Sequence, residues 1–192
     1  MMTRIILASG SPRRKFLLTE LGLDFEVYKP EVDETRIAGE APYQLCMRLS
    51  RLKAQAGAEK FPGKIIIAAD TIVVIDGEIL GKPINRDDAF KMLMMLQNRT
   101  HDVLTGLYVF DGKKSVSHIE HTRVKFRPLT GDEIRAYIST GEPDDKAGAY
   151  AVQGIGSLLV ESLHGDYFNV VGLPICSLGK ILAKFGVNLL TR

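Results

Sequence analysis

The stretch Ile65-Ile66-Ile67-Ala68-Ala69-Asp70-Thr71-Ile72-Val73-Val74-Ile75 constrains the fold more than any other part of the chain. It is apolar without alternation, so it reads as a strand buried on both faces. Asp70 is its one charge. A carboxylate in such a place costs several kcal/mol in desolvation unless it is paired, hydrogen-bonded or metal-bound. Perturbed carboxylates gather at functional sites, which makes Asp70 the leading candidate catalytic residue. Its plainer reading is a bulge or sheet-edge aspartate held by backbone amides. Asp76-Gly77 ends the run as a hairpin dipeptide, Glu78–Leu80 returns, and Gly81-Lys82-Pro83 breaks the strand.

The N-terminus carries a second signal. Ile5–Ala8 leads into Ser9-Gly10-Ser11-Pro12-Arg13-Arg14, and Phe16, Leu17, Leu18 and Leu21 follow at helical spacing. This is a strand, a small-residue turn and a helix opened by two arginines. A helix N-terminus has unpaired N–H groups and a partial positive charge, and hydroxyls and guanidiniums add donors suited to phosphate. Ser11 as N-cap and Pro12 at the first helical position would explain the same residues without any ligand.

The remaining elements read in order. Phe25–Lys29 is a short strand and Pro30–Glu40 is polar, with acids at Glu31, Asp33 and Glu34. Pro42–Lys60 is a helix carrying Arg48, Arg51 and Lys53, which by themselves suggest a solvated face. Asp87–Leu96 is a helix, His101–Phe110 and Ser115–Arg127 are strands joined at Asp111-Gly112, and Thr130-Gly131-Asp132-Glu133 is a capping box. Gly141–Gly148 is a polar loop, dense in charge at Asp144, Asp145 and Lys146. Strands are expected at Ala149–Gln153, Leu158–Leu163 and Phe168–Val171, and a last helix from Pro174 to Gly186. Strand–helix–strand units mixed with hairpins predict an α/β fold with a mixed sheet. No dinucleotide-binding or P-loop glycine pattern is present.

With 192 residues the chain is expected to form one domain with a real core. The net charge of +2 offers no global field for nucleic acid or membrane. Cys46 and Cys176 show no metal-ligand spacing and read as buried free thiols in a reducing compartment. The N-terminus lacks a signal-peptide layout and no apolar run spans a bilayer, so the expected location is the cytoplasm. His101, His118, His121 and His164 have no zinc spacing, and no serine sits in a nucleophile elbow. What remains is basic groups at the first turn, acids at Glu34, Asp70 and Asp145, and lysines at 53, 82 and 146. That set suits attack of an activated water on a phosphoanhydride, with a divalent cation bound by the acids. Gln153, before Gly154, has the donor–acceptor pair to read an amide-like base edge.

Six ordered motifs carry a family resemblance. Leu7–Arg14, Ala69-Asp70-Thr71, Gly81-Lys82-Pro83, Gly141-Glu142-Pro143 with Asp145–Tyr150, Gln153-Gly154 and Val171–Pro174 together resemble the Maf family, across nearly the whole chain. The resemblance implies an inosine-triphosphatase-like fold: a long mixed sheet with helices on both sides and two lobes around a central cleft. It implies a nucleoside triphosphate pyrophosphatase that releases a nucleoside monophosphate and pyrophosphate, with Mg²⁺ or Mn²⁺, and in many members a homodimer. Asp70 falls on the family's proton acceptor, and Arg13, Thr71 and Gln153 on its specificity positions. Ser9, Arg14, Glu34, Lys53, Lys82, Asp145 and Lys146 match phosphate-contacting and supporting positions. Asp70 and Glu34 are the expected metal ligands. The Pro-Arg-Arg form of the first motif and the Val-Gln-Gly context of Gln153 resemble the dTTP/UTP branch; an aromatic residue at the Arg13 position marks the 7-methyl-GTP branch. Asp144 departs from the apolar residue usual before Asp145-Lys146. A role in septum formation, as a nucleotide- or nucleic-acid-binding regulator with incidental hydrolysis, is the alternative the kinship offers. The near-neutral charge argues against stable nucleic-acid binding.

Overall fold

A computed structural model of the chain describes residues 5–191. The elements run β1 (Ile5–Ala8), α1 (Pro12–Glu20), β2 (Phe25–Tyr28), α2 (Pro42–Lys60), β3 (Ile65–Ile75), β4 (Glu78–Leu80), α3 (Arg86–Leu96), β5 (Thr100–Phe110), β6 (Ser115–Phe126), α4 (Gly131–Ser139), β7 (Val160–His164), α5 (Tyr167–Val171) and α6 (Ile175–Lys184). The strands form one mixed sheet in the order β2-β1-β3-β5-β6-β7, with β4 paired on β3. β1 is parallel to both β2 and β3, and β4 is antiparallel to β3. The mixed α/β architecture is the one predicted from strand–helix–strand units mixed with hairpins.

The chain divides into two compact units. The first comprises the residues up to Asp70, Thr105–Glu120 and the chain from Gly172 onward; the second comprises Thr71–Leu104 and His121–Val171.

In the first unit, Ile6, Ala8, Ala54, Ile66 and Ala68 form a buried cluster that seats α2 on the sheet. Two glycines set how closely that helix lies. A Cβ at Gly57 would stand 2.7 Å from Ile66 Cγ2, and one at Gly106 on β5 would stand 2.5 Å from the Cys46 carbonyl oxygen. At Gly106 the obstacle is helix backbone, which cannot rotate away. Gly106→Ala is therefore expected to push α2 outward and destabilise the protein by about 1–3 kcal/mol, the usual cost of overpacking. Urea unfolding measures it, and an unchanged midpoint would show that the helix is not held by that contact. Cys46 is buried beneath the same contact, and desolvation pushes its thiol up to about 12.

In the second unit the core is built from Val73, Ile75, Leu80, Leu93, Leu96, Val103, Val124, Phe126, Ile134, Ile138 and Tyr150, among others. His101 lies in it, edge-on to Phe126 and Tyr150, with Nε2 2.8 Å from Tyr150 Oη. Burial pulls its pKa down to about 4, so the imidazole is neutral at physiological pH.

Several expected elements differ. Ala149–Gln153 is not a strand: Gly148 and Ala149 take φ values of +68° and +57°, which turn the chain away from an extended path. The expected loop Gly141–Gly148 is organised instead as short 3-10 turns at Glu142–Asp145 and Ala147–Ala149. A further turn at Gly154–Leu159 delays the next strand to Val160. Phe168–Val171 lies within helix α5, despite its β-branched residues. Asp166 Oδ1 accepts from Phe168 N–H at 2.8 Å, and Asn169 donates from inside to Val103 O and Thr122 Oγ1. Those side-chain bonds override the context-dependent strand preference of Val170 and Val171. Cys176 is exposed rather than buried, because α6 buries Leu178, Ile181 and Leu182 on a different face.

Candidate functional site

The candidate site of the first unit lies around the C-terminal end of β1. β1 ends at Ala8, and the register pairs Leu7 with Ile67. β3 continues past that point, so Asp70 lies level with the turn that follows β1. Ligand sites in parallel α/β sheets favour this place, where chains leave the sheet and helices begin.

The turn itself is locked from within. Ser11 caps α1, and its N–H donates to Ser9 Oγ at 3.2 Å. Arg14 is only 9% exposed; its Nε donates to Gly172 O at 2.7 Å and its Nη1 to Ser9 Oγ at 3.2 Å. Burial lowers its pKa, while the charge of Asp70 opposes that shift. Arg14 thus fastens the β1–α1 turn to the segment before α6, while Arg13 beside it is half-buried. The two arginines, adjacent in sequence, thus have different surroundings in the fold.

Asp70 is 8% exposed and has a specific partner. Alternation along β3 puts Ile66, Ala68 and Asp70 on one face. α2 packs on that face through Ala54, and Lys53 is its neighbour in sequence. Lys53 Nζ lies 2.6 Å from Asp70 Oδ1 and 2.8 Å from Glu34 Oε1. Lys53 therefore does not belong to a solvated helix face. Desolvation raises the Asp70 pKa; Lys53 and then Arg14 pull it back, and Glu34 adds to the rise. The Glu34 side chain is 58% exposed.

Arg48 holds the Glu34 segment in place, a role its sequence context does not reveal. Its guanidinium bridges both Glu40 oxygens at 2.6 and 2.8 Å and donates to Thr35 O at 3.0 Å. Asp33 Oδ1 accepts from Thr35 N–H at 2.9 Å, closing an Asx turn around Glu34. One helix, α2, thus supplies both the Asp70 partner and the anchor of the Glu34 loop.

The second unit carries Thr71, Lys82, Asp145, Lys146 and Gln153. The β3–β4 register pairs Val73 with Leu80, so the hairpin returns the chain at Gly81-Lys82 toward the Thr71 end of β3. Gly148 N–H donates to Gly81 O at 3.0 Å, which ties the 142–149 segment to the same place. Lys146 Nζ lies 2.6 Å from both Asp145 Oδ1 and the Glu142 carbonyl oxygen. Asp144 is exposed, and Gln153 is half-buried and makes no side-chain cap to the turn it opens.

Two carboxylates that meet on one ammonium are a donor set a hard divalent cation can use. Mg²⁺ takes one or two carboxylates and completes its shell with water and substrate phosphates. Asp70 and the exposed Glu34 fit that pattern. Among the described residues, no group of three or more His, Cys, Asp or Glu side chains converges to build a cage from protein alone. Among the same residues no helix is long and apolar enough to cross a membrane.

The fold and these side chains define an α/β protein with a buried carboxylate–ammonium pair beside a capped, arginine-bearing turn. The Maf-like protein family model matches residues 4–185, and the chain belongs to that family. It is 47% identical to the dTTP/UTP pyrophosphatase of Symbiobacterium thermophilum over 99% of this chain and 98% of that one. It is 49% identical to the dTTP/UTP pyrophosphatase of Syntrophomonas wolfei over 96% of this chain and 98% of that one. Among solved structures, the Staphylococcus aureus Ham1 protein shares the fold, with a TM-score of 0.50 at 16% identity over 80% of this chain and 77% of that one.

Proposed function

We propose that this protein is a nucleoside triphosphate pyrophosphatase that hydrolyses dTTP and UTP to the monophosphate and pyrophosphate. The observation that carries the chemistry is Asp70: a desolvated carboxylate with a raised pKa, held 2.6 Å from the Lys53 ammonium. Raising a carboxylate toward the working pH makes it a better general base. The near-full-length likeness to relatives named dTTP/UTP pyrophosphatase supports the choice of substrate.

In this reading water attacks the α-phosphorus, and the bond from that phosphorus to the oxygen bridging the β-phosphate breaks. Asp70 accepts the proton of the attacking water. Lys53 orients Asp70 and, with Arg13 and Lys82, offsets negative charge on the phosphates. Ser9 and Arg14 hold the turn that presents Arg13. Asp145 and Lys146 support the phosphate-contacting set, and Arg13, Thr71 and Gln153 select the base. Asp70 and Glu34 would hold a Mg²⁺ or Mn²⁺ ion, which when bound would neutralise phosphate charge.

A screen of pyrophosphate release across the canonical nucleoside triphosphates and 7-methyl-GTP, with Mg²⁺ and with Mn²⁺, tests the reading. The expected outcome is hydrolysis of dTTP and UTP in preference to purine nucleotides, dependent on the divalent ion. A preference for 7-methyl-GTP would overturn the substrate assignment, and turnover undiminished by chelation would overturn the metal.

A further inference from the structure

The segment Gln153-Gly154-Ile155-Gly156 looks like a glycine loop that cradles an anion, and the anion it cradles is the chain's own. Glu142 Oε1 accepts from Gly156 N–H at 2.9 Å and from Tyr137 Oη at 3.0 Å, and its Oε2 accepts from Ile155 N–H at 3.1 Å. The glycines make room for that carboxylate. A Cβ at Gly154 would stand 2.6 Å from Glu142 Oε2; one at Gly156 would meet the Ala151 carbonyl oxygen and Tyr137 Oη first and would stand 2.8 Å from Glu142 Oε1. Gly154 also has φ +68°, where other residues are strained. Tyr137, on α4, accepts from Ala151 N–H at 3.2 Å, so the same anchor holds the chain on the other side of Gln153.

Glu142 is tied at its backbone as well. Its N–H donates to Thr140 Oγ1 at 3.1 Å, and its carbonyl accepts from Lys146 Nζ at 2.6 Å. One residue therefore joins the segment bearing Asp145 and Lys146 to the backbone that carries Gln153. Three bonds to a carboxylate are worth more than three neutral ones, because each is charge-assisted.

We propose that Glu142 is a positioning residue for base selection: its carboxylate fixes the 153–156 backbone and so fixes where the Gln153 amide meets the base. This rests on the reading above that Gln153 contacts the base of the nucleotide. Glu142 itself touches no substrate in this scheme; it acts through Gln153.

The test measures kcat and KM for dTTP and dATP in wild type, Glu142→Ala, Gln153→Ala, the double variant and Tyr137→Phe. The quantity read is the ratio of kcat/KM for dTTP over dATP. Glu142→Ala and Gln153→Ala are each expected to lower it about tenfold, the upper end for one lost hydrogen bond between uncharged groups such as the Gln153 amide and a base edge. The double variant is expected to fall no further than either single one, because the two residues act as a unit. Tyr137→Phe removes one of the three bonds and is expected to lower the ratio less, in the same direction; it carries the test if Glu142→Ala does not fold. A merely structural role would reduce turnover of both nucleotides alike and leave the ratio unchanged. The proposal alone is overturned if Gln153→Ala lowers the ratio while the folded Glu142 or Tyr137 variant does not, or if the two losses add in full. If Gln153→Ala leaves the ratio at its wild-type value, the proposal falls together with the role given to Gln153.

Discussion

Asp70→Asn is expected to lower pyrophosphate release from dTTP by about 10²–10⁴-fold, the range for loss of a positioned general base. The substitution keeps the shape of the side chain and removes the proton acceptor. The fold should survive, since the β3 residues around Asp70, Ala68, Ala69 and Ile72, are buried and pack regardless of its charge. The neutral amide also relieves the desolvation that raises the Asp70 pKa in the native protein. Single-turnover kinetics with circular dichroism on the same sample check both halves of the expectation. A variant that folds and turns over dTTP like wild type would remove Asp70 from the mechanism.

Lys53→Met carries the second largest effect, and its sign is fixed by the electrostatics. Lys53 is the strongest of the charges that pull the Asp70 pKa down against desolvation. Without it the carboxyl titrates at higher pH than in the wild type. The acid limb of kcat/KM is therefore expected to move to higher pH, with activity at neutral pH depressed and partly recovered under alkaline conditions. Stability follows from the same linkage. A carboxyl whose folded pKa lies above its ordinary 3.8 binds its proton more readily in the native state than in the unfolded one. Native stability from that preference is complete below the unfolded value and is lost as pH rises through the folded one. Removing Lys53 widens that window and leaves a buried carboxylate short of its partner, a change that costs about 3–5 kcal/mol when the charge is forced. Urea unfolding from mildly acidic to alkaline pH should show the variant losing most against wild type where Asp70 is ionised. A stability gap that does not vary with pH, or an acid limb that stays in place, would break the proposed coupling of the pair.

The same contrast between local and distant causes explains what could be read in advance. Pro42–Lys60 and Ile65–Ile75 have the bounds the pattern predicts, because Pro at the helix start and an unbroken apolar run are local signals. The Asp76-Gly77 turn follows too, with φ values of +51° and +80° as a two-residue hairpin turn demands. Ala149–Gln153 failed because its course is set by left-handed backbone at Gly148 and Ala149, which no periodicity announces. Phe168–Val171 failed because Asn169 is claimed by Val103 and Thr122, residues far away in the chain. The roles of Arg48, which reads as part of a solvated face, and of Glu142, which reads as part of a polar loop, are hidden for a related reason. Each is an ordinary charged residue in sequence, and its partners appear only when α2 meets the 33–40 loop or when the 154–156 turn closes on α4.

By itself the sequence determined a strand too apolar for anything but a covered sheet, a lone carboxylate within it, and a capped turn opening onto two arginines. These depend on residues within a few positions of one another, where sterics and side-chain alternation act directly. The tertiary structure alone decided who meets Asp70. Lys53 reaches it because glycines at 57 and 106 let α2 lie against the sheet, and because alternation turns Asp70 toward that helix. It also separated the two arginines, burying Arg14 on the carbonyl of Gly172, 158 residues away. Close packing fixes such pairs, and packing is a property of the folded chain rather than of any stretch of it.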